Sequence, residues 1–215
     1  MSFLNQLKAQ AQTVQLRQQD QQQDQADRID GVERAAQATW RYLNELATQL
    51  NVLKPDGPRL SLDGKTPWPA MQASEFRVDA RKKLVLRSEV IDYISMGWRL
   101  LPKMGVVVQG SVSASFMPEM ERIEARLHTA NVSFERVEKR VPPRNALQSV
   151  CYDYQTEARA GLRIVADHST GELEFRMVGV TALDAVTKRI RASQIQASLL
   201  DELAKLLVGS PSSFL

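Results

Sequence analysis

A strongly polar segment near the N-terminus constrains the fold of this chain more than any other feature. Residues 17–28 read RQQDQQQDQADR, with a single apolar side chain in the run. No hydrophobic core can be built from such a segment, because folding depends on the burial of apolar surface. The stretches on both sides carry apolar residues at helical spacing. We therefore predict an ordered polar helix held by its neighbours, and a polar helix of this length indicates a partner surface.

The residues before this segment have the spacing of a helix that packs against another helix. Apolar side chains recur every three or four positions, and glutamines then occupy the equivalent positions, which weakens packing without abolishing helix propensity. We predict that residues 1–30 form a helical arm that associates weakly and reversibly with a protein partner or a second copy. A disordered polar extension is the alternative, because glutamine tracts are often disordered. The predicted contact residues are Leu4, Leu7, Ala11, Val14, Gln18 and Gln21.

The rest of the chain, residues 31–215, is predicted to be a single α+β domain. Asp30 and Glu33 match the D-x-x-E pattern of a helix N-terminal cap, which predicts a helix over 31–53. Two prolines and a glycine follow it and predict a loop-rich connection over 54–72. The apolar face of the predicted helix consists of Val32, Ala36, Trp40, Leu43, Ala47, Leu50 and Leu53.

After residue 73 the apolar period changes from helical to two, which is typical of strands. Residues 162–166 and 173–178 flank a turn-rich spacer that contains Gly171, and they predict a hairpin. A helix is predicted over 117–129, where apolar residues again share one helical face. The other predicted strands lie at about 76–81, 84–86, 106–108, 132–137, 150–154 and 184–191.

The last predicted element is a helix over 193–208. Ser193 and Gln196 form a capping-box pattern, and Gly209 and Pro211 end the helix. Because the strands follow one another through short turns rather than helical crossovers, we predict a mainly antiparallel sheet and the α+β class. Helices 31–53 and 193–208 are expected to cover one face of that sheet.

Composition limits the classes of protein to which the chain can belong. The sequence offers no apolar run near the roughly 20 residues of a membrane helix and no signal-peptide pattern. The one cysteine, Cys151, fits a reducing compartment, so we predict a cytoplasmic protein without a membrane span. The net charge is +3 and is spread over many segments, which is weaker than the concentrated charge of a dedicated nucleic-acid binder.

No catalytic residue, cofactor or metal site is predicted. Cys151 with His128 or His168 could form a nucleophile and base, but a lone cysteine in an alternating strand is typical of a buried apolar side chain. Glu121, Glu124 and His128 share one face of the 117–129 helix, yet such faces are usually solvated. The glycines form no phosphate-binding loop motif.

Two alternatives to a non-enzymatic interaction protein stay open. The first is a binding module for an apolar small molecule or lipid between a curved sheet and the C-terminal helix. Its adaptable lining would consist of Met96, Met104, Met117, Met120 and Met177. The second is weak nucleic-acid binding, with stacking by Phe76, Tyr152 or Tyr154. Its basic clusters would be Arg81 to Lys83, Lys139 and Arg140 with Arg144, and Lys188 and Arg189 with Arg191.

Overall fold

The structure is a computed structural model that describes residues 3–86, 88–143 and 145–215. Before Gln12, the side chain that the structure describes is that of Lys8. From Gln12 to Leu86 all side chains are described. The helices are α1 Phe3–Leu53, α2 Met117–Thr129 and α3 Ala197–Leu207, with a short 3-10 turn at Ala192–Gln194. The strands are β1 Met71–Val85, β2 Ser88–Pro102, β3 Gln109–Ala114, β4 Phe134–Val141, β5 Ala146–Gln155, β6 Ala158–Asp167, β7 Glu172–Val178 and β8 Ala185–Arg191.

The strands form two antiparallel sheets, so the predicted α+β class is confirmed. The larger sheet has five strands in the order β1-β2-β6-β7-β8, and the smaller has three in the order β3-β5-β4. Alternating side chains of β2 and β6 point inward, among them Ile94, Met96, Leu162 and Ile164, and are almost fully buried. The other face of the large sheet therefore carries the residues between them.

Helix α1 covers the inner face of the large sheet over its second half. Val32, Ala36, Leu43, Ala47 and Leu50 are buried there, as the helical spacing predicts. Two residues assigned to the same face are not buried. Trp40 is 37% exposed and Leu53 is 72% exposed, because both lie at the rim of the contact.

The N-terminal cap predicted at Asp30 is wrong, because α1 runs without interruption from Phe3 to Leu53. Glu33 is not used to cap a helix. Its carboxylate accepts a hydrogen bond from the backbone N–H of Ile91 at 2.8 Å and so attaches the helix to β2. A cap pattern fails here because the residues before it, mainly Gln, Ala and Asp, also tolerate a helix interior.

Two further local predictions need correction. Helix α3 begins at Ala197 rather than 193, and Gln196 precedes it without a side-chain capping bond. Residues 106–108 form no strand and are exposed in a loop, and β3 begins only at Gln109. Strand β2, which lies between β1 and β6, was not predicted. The hairpin of β6 and β7, helix α2 and the connection between α1 and β1 agree with their predictions.

Both sheets share one continuous hydrophobic core. The small sheet contributes Val112 and Tyr152, and α2 contributes Ile123 and Leu127. At the other end, Phe214 packs edge-to-face on Phe175 with ring centroids 5.4 Å apart. This core ends at the level of Ile29 in α1, so the residues before it have no share in it among the side chains that the structure describes.

Candidate functional site

The N-terminal half of α1 extends away from the rest of the protein. Every side chain from Gln12 to Arg28 is exposed, and Ile29 is the first buried side chain among the described residues. At 1.5 Å per residue the segment before Ile29 is about 39 Å long. The predicted contact residues Val14, Gln18 and Gln21 lie on this arm and are exposed, whereas the side chains of Leu4, Leu7 and Ala11 lie outside the described residues.

The exposed arm and the buried half of α1 present the same helical face in different surroundings. Eighteen residues make five turns of an α-helix, so residues 18 apart point in the same direction. Val14 is thus aligned with Val32, and Gln21 is aligned with Thr39. Val32 and Thr39 are fully buried against the body, whereas Val14 is 52% exposed. The face that packs on the sheet therefore continues along the arm with nothing described beneath it.

The base of the arm is firmly attached to the body. The Arg28 guanidinium donates to the carbonyl oxygen of Ser169 at 2.7 Å, in the turn between β6 and β7. Further along, the Tyr42 hydroxyl donates to Asp201 of α3 at 2.7 Å. Burial, and then this hydrogen bond, raise the pKa of Tyr42 above its usual value. These contacts fix the direction in which α1 leaves the body.

His168 is buried under the base of the arm. It is 6% exposed, and neither ring nitrogen has a hydrogen-bond partner among the described residues. Its Nε2 lies 3.9 Å from the Glu33 carboxylate, which is already bound to Ile91. Burial, followed by the charge of Lys83, lowers the pKa of His168, which keeps the ring neutral near pH 7.

A second surface lies on the outer face of the large sheet, which no described helix covers. Gly97 of β2 is directly opposite Gly161 of β6, and the missing side chains leave a depression of about 440 Å³. We call it the arginine trough. Its charged walls come from β1, β6 and β7, and they consist of Arg77, Arg159, Arg163 and Arg176, with Asp79 as the carboxylate among them.

The basic clusters predicted from the sequence do not form this trough. Lys82 pairs with Glu89 at 2.8 Å, Lys83 with Asp92 at 2.9 Å, and Arg189 with Glu174 at 2.6 Å. Arg140 pairs with Glu138, and Arg144 lies outside the described residues. The aromatic residues proposed for stacking, Phe76, Tyr152 and Tyr154, are buried in the core.

The candidate catalytic and metal-binding groups have other partners. Cys151 is half-buried rather than buried as predicted, and its Sγ lies 3.1 Å from the Ser111 hydroxyl. Glu124 accepts hydrogen bonds from Tyr152 at 2.8 Å and Arg136 at 3.0 Å. Burial, and then Glu124, raise the pKa of Tyr152 to about 12, so the phenol stays protonated and donates. His128 packs edge-on against Phe134 at 5.3 Å.

The methionines suggested as a pocket lining do not come together. Met96, Met120 and Met177 are buried in the core, whereas Met104 and Met117 are 89% and 59% exposed. Phe175, Leu203 and Phe214 have no exposed surface and fill the space between the sheet and α3.

The arginine trough was not predicted from the sequence, because its residues are spread over about 100 positions and only strand register brings them together. One local signal was present. Arg159, Gly161 and Arg163 alternate in β6, which places two charges and a gap on one face of a strand.

Comparison with known proteins gives no family to which the chain can be assigned. No family model, no curated protein and no solved structure matches it. None of the helices within the described residues is long and apolar enough to cross a membrane.

Proposed function

We propose that this is a cytoplasmic, non-enzymatic assembly protein that binds another protein through its N-terminal helical arm. The simplest partner is the arm of a second copy, in a short coiled coil. The observation that supports this proposal is the continuation of the packing face of α1 along exposed residues, from Val32 back to Val14. The single cysteine supports the compartment.

Physical chemistry explains how such an arm is held ready for a partner. The buried half of α1 supplies a formed helix, so the arm only has to propagate it, and propagation is far easier than nucleation. Propagation through glutamine and alanine is close to neutral in free energy. A partner that covers Val14 and the preceding apolar stripe would therefore meet a helix that is already formed, so little conformational entropy is lost on binding.

Glutamine along the contact face favours a second copy as the partner. Each amide has both a donor and an acceptor, so two identical faces that carry Gln18, Gln21 and Gln25 are complementary to each other. Because these amides bury less apolar surface than leucine, we expect a dissociation constant on the order of micromolar to tens of micromolar. We therefore expect monomers and dimers to be in exchange with each other.

The apolar-ligand and nucleic-acid alternatives have less support. The space under α3 is filled by Phe175, Leu203 and Phe214. Each of the three predicted basic clusters has at least one cation paired with a carboxylate. No observation on the residues under α3 favours an apolar ligand, and none on the three basic clusters favours nucleic acid.

The test is the molar mass of the full chain, measured by light scattering during size-exclusion chromatography. We expect a concentration-dependent increase above the chain mass of 24.2 kDa. Val14→Glu with Gln21→Glu places charges on the contact face and should restore the monomer, because like charges repel across a coiled-coil seam.

The matched control adds the same charge to the opposite side of the arm. Gln12→Glu with Gln19→Glu lies about 140–180° around the helix from Val14 and Gln21 and should leave association unchanged. A wild-type chain that is monomeric at about 0.5 mM, well above the expected dissociation constant, would contradict self-association.

A further inference from the structure

We propose that the arginine trough binds a small molecule that carries a phosphate or diphosphate group. This site is separate from the arm, since it lies on the outer face of the sheet whereas α1 packs on the inner face. The inference goes beyond the proposed assembly function and does not depend on it.

The trough carries a net positive charge, because it holds four arginines and one carboxylate. The side chains of Arg77, Arg159 and Arg176 make no ion pair or hydrogen bond within the described parts of the chain. Arg163 lies over the Tyr93 ring, 3.7 Å from its centroid. Stacking uses the flat face of the guanidinium and leaves its N–H groups, which lie in the plane, free to donate.

The placement of two of these arginines is unfavourable for the sheet itself. Arg163 of β6 and Arg176 of β7 are directly opposite each other. Like charges at opposed positions on neighbouring strands are destabilising. Another opposed pair on this face is matched, since Arg189 lies opposite Glu174 and pairs with it at 2.6 Å. An uncompensated pair of cations is typical of a site that binds an anion.

The shape of the trough fits a small ligand. A Cβ atom added to Gly97 would meet no atom within 4 Å, so the space above it is open. The volume of about 440 Å³ lies in the range of small-molecule sites, and Thr129 at the end of α2 closes one side. Guanidinium groups match the geometry of phosphate oxygens through paired N–H donors.

The composition of the walls also orients the ligand. Three of the four arginines, Arg159, Arg163 and Arg176, lie on the β6 and β7 side, whereas on β1 the single arginine Arg77 is accompanied by Asp79. The phosphate should therefore lie toward β6 and β7, away from the Asp79 carboxylate. The opposite end suits a hydroxyl or amino group that can donate to Asp79.

The trough is less suited to a nucleic-acid strand. Such strands need aromatic side chains on which successive bases stack. Tyr93 is the single aromatic residue among the described residues of the outer face, and the Arg163 guanidinium already covers its ring. A small phosphorylated molecule needs no stacking platform.

The test measures binding of inorganic pyrophosphate to the full chain by isothermal titration calorimetry at constant ionic strength. Arg176→Gln should weaken binding about tenfold or more, because it removes charge-assisted hydrogen bonds. Gly97→Val should abolish binding by filling the trough, and valine suits an exposed strand. Arg191→Gln removes the same charge from the far end of the same face and should change affinity less than about threefold.

A second measurement separates a ligand role from a folding role. Without ligand, Arg176→Gln should unfold at the same temperature as wild type or higher, because it relieves the repulsion from Arg163. A clear loss of stability in this variant would assign the arginine to the fold and overturn the proposal.

Three binding results would also overturn it. One is the absence of pyrophosphate binding at about 10 mM, and another is equal binding by wild type, Arg176→Gln and Gly97→Val. The third is a single-stranded oligonucleotide that binds about 100-fold more tightly than pyrophosphate through the same residues, which would identify a nucleic-acid site. Arm variants that abolish self-association should leave pyrophosphate binding unchanged, so the two proposals can fail independently.

Discussion

Replacing Val32 and Val14 with alanine, one at a time, compares the two environments of a single helix face. Val32 is fully buried and Val14 is 52% exposed. Val32→Ala removes two buried carbon groups, which costs about 1.6 kcal/mol at roughly 0.8 kcal/mol each. The cavity left behind adds to this cost, and the higher helix propensity of alanine offsets about 0.5 kcal/mol. We expect a net loss of about 1.5–2 kcal/mol, or roughly 3–8 °C in Tm for a domain of this size.

Val14→Ala should not lower the stability of the body, because its side chain takes no part in the core. The assay is thermal unfolding followed by tryptophan fluorescence. All three tryptophans, Trp40, Trp68 and Trp98, lie beyond the arm, so the signal reports the body. The same Val14→Ala variant should weaken self-association in light scattering. If Val14→Ala lowered the fluorescence-detected Tm as much as Val32→Ala, the arm would pack on the body and the reasoning would be wrong.

Three other substitutions test particular contacts, each through the Tm of the variant. His168→Phe removes two unpartnered nitrogens and should keep or raise stability at pH 7.5. Because the folded pKa of His168 is lowered from 6.5, the unfolded chain takes up the proton first, so wild-type stability should fall below about pH 6.5 and the variant should fall less. An unchanged pH profile would refute this role. Arg126→Met breaks a bidentate pair with Asp184 at 2.9 and 2.8 Å and a hydrogen bond to the Leu62 carbonyl. We expect the free energy of unfolding to fall by about 1–3 kcal/mol, and an unchanged Tm would contradict a stabilising role for these contacts. Gly110→Ala places a Cβ 2.5 Å from the Tyr154 ring and should cost about 1–3 kcal/mol, whereas unchanged stability would show that the ring moves freely.

The parts of the fold that were predicted from the sequence are those whose signals are local. The β6–β7 hairpin has alternating strands on both sides of a turn that contains Gly171, whose φ is +82°. Helix α2 has a proline in its first turn and three buried residues on one face. Periodicity and turn chemistry are enough in such cases, because neighbours in sequence determine them.

Strand β2 was missed because its pattern is broken by a bulge. The register between β1 and β2 shifts next to Lys82, and Val90 and Ile91 are both buried although they are adjacent. Two consecutive buried residues contradict the period of two that identifies a strand. The alternation beyond the bulge, from Ile94 to Leu100, is regular and would have sufficed if read by itself.

The exposed arm could be predicted from composition, but its continuity with the body could not. Asp30 and Glu33 resemble the start of a helix, and only the tertiary contact of Glu33 with the Ile91 N–H shows what that carboxylate does. A capping pattern reflects only the local preference of its residues for a helix start. A helix that is already formed on one side can continue through such a pattern, because propagation is easier than nucleation.

The two proposed sites lie on opposite faces of the same five-stranded sheet, and this arrangement has a consequence for how they combine. The inner face holds α1, whose packing stripe leads into the arm, and the outer face holds Gly97, Gly161 and the arginines around them. Pairing through the arms therefore leaves the trough open in each copy. Because β2 and β6 supply both the core under α1 and the floor of the trough, filling the trough can affect the arm only through the rigid sheet. We expect pyrophosphate to leave the dissociation constant for self-association within about threefold, since coupling requires two states with different affinity for the ligand. A larger shift would show that the sheet itself changes conformation.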